Sequence, residues 1–221
     1  MNPRTSGPDP LPDLTSVSAE SPLVIVVSAC LLGHPVGYNG TGFPSDEVQL
    51  ICTLANVVAL PFCPEAHAMG TPRRWMTIHG GDGFDVLDGG AEVIDVDGQN
   101  LSDHFRFGAT AMLELVRRER AQLAILTDIS PSCGSSVIYD GSSQPERGYQ
   151  ASSGVTAALL RRHGVPVISQ RDIRSLQRLR SALDPAFTSD STARDYVESD
   201  WYRQELMATP PTGVNLVFDE G

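Results

Sequence analysis

Apolar residues along this chain gather in short runs, and the segments between the runs repeat with helical spacing. Val24-Ile25-Val26-Val27, Val57-Val58-Ala59-Leu60 and Leu123-Ala124-Ile125-Leu126 are unbroken apolar stretches, as strands covered on both faces are. With their flanks they predict strands over 23–28, over 57–62 and from residue 123, and 165–169 reads as another. Between the first two, Val48, Ile51, Cys52 and Ala55 recur at i, i+3, i+4 and i+7, the stripe of a helix beginning near Asp46. A second helix is predicted from a cap at Asp103, with Ala109, Met112, Leu113 and Val116 on one face. Arg117, Arg118 and Arg120 fall near its end, where cations suit the helix dipole. A third begins near Ser152 or Ser153 and stops at Gly164. This alternation predicts a single doubly wound α/β domain, with a mostly parallel sheet and helices on both faces.

The pattern fails in three places. Residues 1–20 carry Pro3, Gly7, Pro8, Pro10 and Pro12 with no usable periodicity, which predicts a mobile tail. Residues 64–92 are broken by Pro64, Pro72 and by Gly80, Gly81, Gly83, Gly89 and Gly90. They predict a long ordered loop or a small β excursion, followed by a short strand over 92–96. Beyond Asp172 two polar helical stretches, 173–183 and 193–207, precede a Pro-containing end. The expected organisation is a tail over 1–20, an α/β domain over 21–172 and a C-terminal helical extension over 173–221. That extension is expected to pack on the domain, or on a second subunit of a homodimer.

Charge narrows the partners. The 16 basic residues against 27 acidic ones leave a formal net charge of −11, the opposite of a phosphate-binding surface. Nucleic acid is therefore an unlikely main partner, although Arg73, Arg74, Arg161 and Arg162 could form a local patch. No apolar stretch approaches the roughly 20 residues of a membrane helix, and the N-terminus lacks the signature of a secretory signal. Four cysteines in 221 residues do not make a disulfide scaffold, and the chain is expected to be cytoplasmic.

Three of those cysteines share a topological position. Cys30, Cys63 and Cys133 each lie just past an apolar run, and in parallel α/β sheets ligands bind outside the carboxyl ends of the strands. If the strands are neighbours, three thiols converge on one sheet edge. Cys52 is the internal control: it sits on a helix stripe and is expected to be ordinary core. Soft thiolates select zinc, copper(I) or iron–sulfur clusters. Closely spaced Cys pairs, the usual mark of structural zinc, are absent from the sequence. An open site is expected: a three-thiolate [4Fe–4S] cluster with one iron free of protein ligands, or zinc with His34 or His67 as fourth ligand.

The surrounding motifs carry a resemblance. Ser28-Ala29-Cys30-Leu31-Leu32-Gly33, Phe62-Cys63-Pro64-Glu65, Thr71-Pro72-Arg73, Ser130-Pro131-Ser132-Cys133-Gly134-Ser135, Ile138-Tyr139-Asp140-Gly141 and Gly154-Val155-Thr156-Ala157-Ala158-Leu159-Leu160 resemble, in order, the motifs of the DUF523 family, whose characterised members are thiouracil desulfidases. The resemblance implies a Rossmann-like domain with a [4Fe–4S] cluster on Cys30, Cys63 and Cys133. It implies desulfuration of a thiolated pyrimidine such as 2-thiouracil or 4-thiouracil, with sulfur captured by the free iron, replaced by water and released as sulfide. Glu65 and Ser130 match polar positions of the motifs and are the candidate catalytic residues, Glu65 activating water and Ser130 orienting substrate or water. Tyr38, Arg73 and Ser132 are the candidate substrate contacts. In two places the chain departs from the family pattern. Gly37 precedes Tyr38 where the family has an arginine, and Ala66-His67-Ala68-Met69-Gly70 replaces a more glycine-rich stretch. A zinc hydrolase and a non-catalytic sulfur- or metal-binding accessory protein are the competing readings.

Overall fold

The computed structural model of the chain describes residue 4, residues 7–141 and residues 148–207. The three apolar runs form β1 (Leu23–Ser28), β2 (Val57–Phe62) and β5 (Leu123–Leu126), and β8 (Val167–Ser169) joins them. All four are parallel, in the order β2-β1-β5-β8. β1 is central and its residues alternate between two cores. Leu23, Ile25 and Val27 pack with Val48 and Ile51 of α1 (Asp46–Cys52), and with Leu176, Leu179 and Leu183 of α6 (Ile173–Leu183). On the other face, Val26, Ala124 and Leu126 meet Met112, Leu113 and Val116 of α4 (Ser102–Glu119), and Ala157 and Leu160 of α5 (Val155–Arg162). Helices therefore cover both faces, as the alternating pattern predicts.

Residues 64–92 hold more order than a loop. They form α2 (Pro64–Met69), β3 (Met76–His79) and α3 (Gly83–Asp88), and β4 (Glu92–Asp95) follows. With β6 (Ile138–Asp140) and β7 (Gly148–Gln150) they make a second four-stranded sheet, ordered β4-β3-β6-β7, in which only β3–β6 is parallel. The parallel sheet stands as predicted, and the small β excursion foreseen for 64–92 belongs to a second sheet beside it. Asp82 caps α3 through a reciprocal pair with Asp85, a capping box built from two aspartates. Other boundaries shift as well: α1 stops at Cys52 before Ala55, α4 begins at Ser102 without a side-chain cap at Asp103, and α5 begins after Gly154.

Residues 7–20 do not behave as the free tail predicted for 1–20. Asp9 receives hydrogen bonds from Arg161 and from the Val167 backbone, the Asp9 N–H donates to the Val167 carbonyl, and Leu11, Leu14 and Val17 pack on the core that holds α1 and α6. Three apolar side chains spaced through a proline-rich strand-like segment carry no helical or strand period, so the sequence hides them. In the extension, α6 matches its predicted span, whereas 193–207 gives a 3-10 turn, Tyr196–Glu198, and the short helix α7 (Asp200–Leu206). The Pro-containing end lies outside the described residues. Among the described residues no helix is long and apolar enough to cross a membrane.

Candidate active site

β1, β2 and β5 are neighbours, and their carboxyl ends open on a cavity of about 350 Å³. Cys30, Cys63 and Cys133 all line it. Cys30 sits in a 3-10 turn directly after β1, and Cys63 is the residue between β2 and α2. Cys133 arrives by a longer route, on a loop built around Asp128. One carboxylate oxygen of Asp128 accepts the backbone N–H groups of Ile129, Ser135, Ser136 and Val137 at 3.0–3.2 Å. The loop is also docked on the start of α5, where the N–H groups of Val155 and Thr156 donate to the carbonyls of Pro131 and Ser132. Gly154 is required there, since a methyl group would stand 2.6–2.7 Å from the carbonyl oxygens of Ser130, Pro131 and Ser132.

The thiols of Cys30 and Cys133 are buried and that of Cys63 is half-buried, and they are electrostatically aware of one another. Burial pushes the Cys30 thiol up to about 12, with Cys63 and Glu65 adding to the shift. Burial raises Cys63 and Cys133 likewise, and for Cys133 the neighbouring Cys63 and Glu65 add to it. Opposing this, the Thr127 side chain hydrogen-bonds Cys30 and the Ser28 side chain hydrogen-bonds Cys133, each favouring the thiolate. Three such thiols ionise together only beside a compensating cation, because a coordinating metal deprotonates its thiol ligands. Among the described residues, however, no three His, Cys, Asp or Glu side chains close on a point that would hold one metal ion. The three thiols line one cavity of about 350 Å³, room for a polynuclear cluster whose irons each take one thiolate. Neither imidazole foreseen as a zinc ligand lines the cavity. His34 lies exposed in the loop after Cys30, and His67 is stacked between Phe62 and Phe107.

Glu65 stands beside the thiols in a tight polar chain. Its Oε2 accepts both Nε and Nη2 of Arg73, at 2.9 and 2.8 Å, and its Oε1 accepts the Ser130 hydroxyl at 3.2 Å. Ser130 Oγ in turn accepts the N–H groups of Ser132 and Cys133 at 3.1 and 3.0 Å. The carboxylate is 12% exposed and the guanidinium 8%, so this is a desolvated pair. Arg73 is itself anchored, donating to the Val36 carbonyl at 2.9 Å while its backbone N–H donates to the Tyr38 carbonyl.

Tyr38, Arg73, Glu65 and Ser130 therefore meet at the cavity as the sequence suggests. Ser132 does not: it is buried behind the Cys133 loop, and its hydroxyl bonds Thr156 at 2.8 Å. At Gly37 a Cβ would lie 2.5 Å from the Thr41 carbonyl oxygen and 2.7 Å from the Phe43 ring. Arginine does not fit that turn. The four arginines proposed as a patch are each taken up by a carboxylate: Arg73 by Glu65, Arg74 by Asp97, Arg161 by Asp9 and Arg162 by Asp88. Cys52 packs against the α1–α6 core, its thiol raised to about 11 by burial alone. Sequence reasoning missed Ser28, Thr127 and Asp128. The first two end β1 and follow β5, a position that could have marked them; an isolated loop aspartate offers no comparable sign.

Fold and site together define an α/β protein whose parallel sheet presents three thiols and a bridged carboxylate at its carboxyl edge. The model of the 2-thiouracil desulfurase family matches residues 25–172, and the chain belongs to that family, an enzyme family that cleaves carbon–sulfur bonds. It is 35% identical over 154 residues to the uncharacterised protein YbbK of Bacillus subtilis (strain 168), covering 69% of this chain and 99% of that one. A solved structure of the [4Fe–4S]-dependent thiouracil desulfidase TudS superposes with a TM-score of 0.59 at 34% identity, covering 71% of this chain and 97% of the other. The family match ends at residue 172, one residue before α6.

Proposed function

We propose that this chain is a [4Fe–4S]-dependent desulfidase that replaces the sulfur of a thiolated pyrimidine, of the 2-thiouracil or 4-thiouracil kind, by oxygen. Cys30, Cys63 and Cys133 would hold the cluster. When bound, it supplies a Lewis-acidic iron without a protein ligand, a natural acceptor for sulfur. The reaction is a substitution without net redox change: the thiocarbonyl C=S bond breaks, a C=O bond forms from water, and the two water protons leave with sulfur as hydrogen sulfide. The chain's own residues must therefore move protons between water and departing sulfur.

The observation that carries this reading is Glu65, held between Arg73 and Ser130 in the cavity that the three thiols line. With Oε2 fixed by Arg73, Oε1, which accepts the Ser130 hydroxyl, is the basic atom that takes a proton from the attacking water. The Ser130 hydroxyl already points at the same oxygen, so it can turn between Glu65 and the substrate as the proton passes. Tyr38 at the rim and Trp75 and Tyr139 in the wall offer flat faces to a planar base. A carboxylate in this position contributes on the order of 100-fold or more.

Anaerobic purification followed by iron and acid-labile sulfide analysis tests the cofactor, and sulfide and uracil release from 2-thiouracil tests the reaction. A brown protein that releases both from 2-thiouracil, with Glu65→Gln keeping its iron but losing about 100-fold in rate, is the expected result. A colourless protein carrying zinc, or equal rates in the two proteins, would overturn it.

A further inference from the structure

The segment beyond residue 172 is joined to the cavity by aromatic contacts. Trp75 and Tyr139, both in the cavity wall, meet edge to face with ring centroids 5.1 Å apart. Tyr139 meets Tyr149 across the β6–β7 pair at 5.5 Å, Tyr149 meets Trp201 of α7 edge-on at 5.1 Å, and Trp201 stacks on Tyr196 at 5.5 Å. From Tyr196 the path returns to the cavity twice. The Arg171 guanidinium lies 4.9 Å from the Tyr196 ring centroid, and Arg171 borders the cavity. Ile129, another lining residue, packs against the cluster of Val137, Tyr196 and Tyr202.

Ile129 adds a backbone argument. Its φ is +55°, the left-handed region that a β-branched side chain adopts only where its surroundings impose it. Asp128 holds its N–H from one side and the aromatic cluster covers its side chain. The next residue is Ser130, so the position of the serine depends on a turn that the extension helps to hold. A satellite hydrophobic cluster would stabilise the chain without any need to end on lining residues. This one ends on three.

We propose that the segment beyond residue 172 backs the outer wall of the substrate cavity without lining it, with Trp201 and Tyr196 as positioning residues that fix Tyr139, Arg171 and Ile129 around the bound base. The substrate it positions rests on the desulfidase reading above; the wall itself does not. Affinity for a planar heterocycle would then depend on residues outside the 25–172 family match.

Trp75 and Trp201 are the two tryptophans of the chain, which provides a readout independent of activity. In full-length Trp201→Phe and Trp201→Leu, Trp75 is the sole tryptophan and reports the cavity wall by acrylamide quenching. The leucine variant is expected to be quenched more strongly than the phenylalanine variant. Its KM for 2-thiouracil is expected to rise roughly fivefold, the worth of one lost aromatic pair, with kcat within about twofold and with Trp201→Phe restoring KM. Equal quenching of Trp75 in the two variants overturns the proposal whatever the kinetics, as does altered quenching with an unchanged KM. Loss of thermal stability alone would make the cluster merely structural. Should the wild type release no sulfide, the desulfidase reading falls and the quenching comparison alone decides the wall. If Trp201→Leu fails to fold, Tyr196→Leu in the Trp201→Phe background serves as the second variant, with the same outcomes.

Discussion

At the scale of single residues, the site depends on how few degrees of freedom Glu65 retains. A carboxylate that accepts a forked guanidinium on one oxygen and a hydroxyl on the other is held in one orientation, and under the proposed reaction its basic atom would need no rearrangement. Arg73→Lys preserves the charge and removes the fork. Sulfide release is expected to fall about 10- to 100-fold, the cost of a misplaced catalytic group, while iron content stays at the wild-type level. An unchanged rate would reduce Arg73 to a charge balance. The convergence of Cys30, Cys63 and Cys133 on one cavity was legible because residue type and position after a strand coincide, whereas Glu65 was singled out by the family motif around it. Ser132 was misjudged because adjacency to a ligand in sequence says nothing about which side of a loop a hydroxyl faces. Asp128 was not legible at all. Its function in the fold is four hydrogen bonds to backbone up to nine residues away, and backbone donors leave no mark in a sequence.

At the scale of elements, the turn that carries Cys63 and Glu65 is placed by helices that pack backbone to backbone. α2 carries Glu65, starts directly after Cys63 and packs against α4. The contact is closest at Gly108, where a methyl group would overlap the Pro64 carbonyl oxygen and carbon. Neither helix backbone can yield there without moving α2. Gly108→Ala is therefore expected to cost about 1–3 kcal/mol, the range for overpacking, and to lower cluster retention because Cys63 and Glu65 shift with the helix. Denaturant unfolding and iron content check both parts, and a variant as stable and as iron-rich as wild type refutes the packing argument. The first sheet was legible because its strands are unbroken apolar runs. The second was not: β6 and β7 are three residues each, β3 and β4 four, too short to show a period of two against the glycines around them.

At the scale of the whole molecule, segments on both sides of the family match are stitched to the α/β core through buried polar groups. Arg161, with only 2% of its side chain exposed, bonds Asp9 and the carbonyls of Gly7 and Ser135. At the other end Asp172, fully buried, accepts the N–H of Ser169 in the domain and of Tyr196 in the extension. Burial raises its carboxyl to about 6, and the nearby Asp128 adds to the shift. A carboxyl raised above its unfolded value of 3.8 binds more protons folded than unfolded, so its contribution to stability is greatest at low pH. That contribution is lost as pH climbs from about 4 to beyond 6. At about 1.4 kcal/mol per unit, the whole effect is of order 3 kcal/mol. Asp172→Asn keeps the size of the side chain and removes the titration. The stability of the variant relative to wild type is therefore expected to improve steadily over that window, measured by urea unfolding at matched ionic strength. A difference that stays flat with pH would mean that Asp172 is ionised in the folded protein with no penalty.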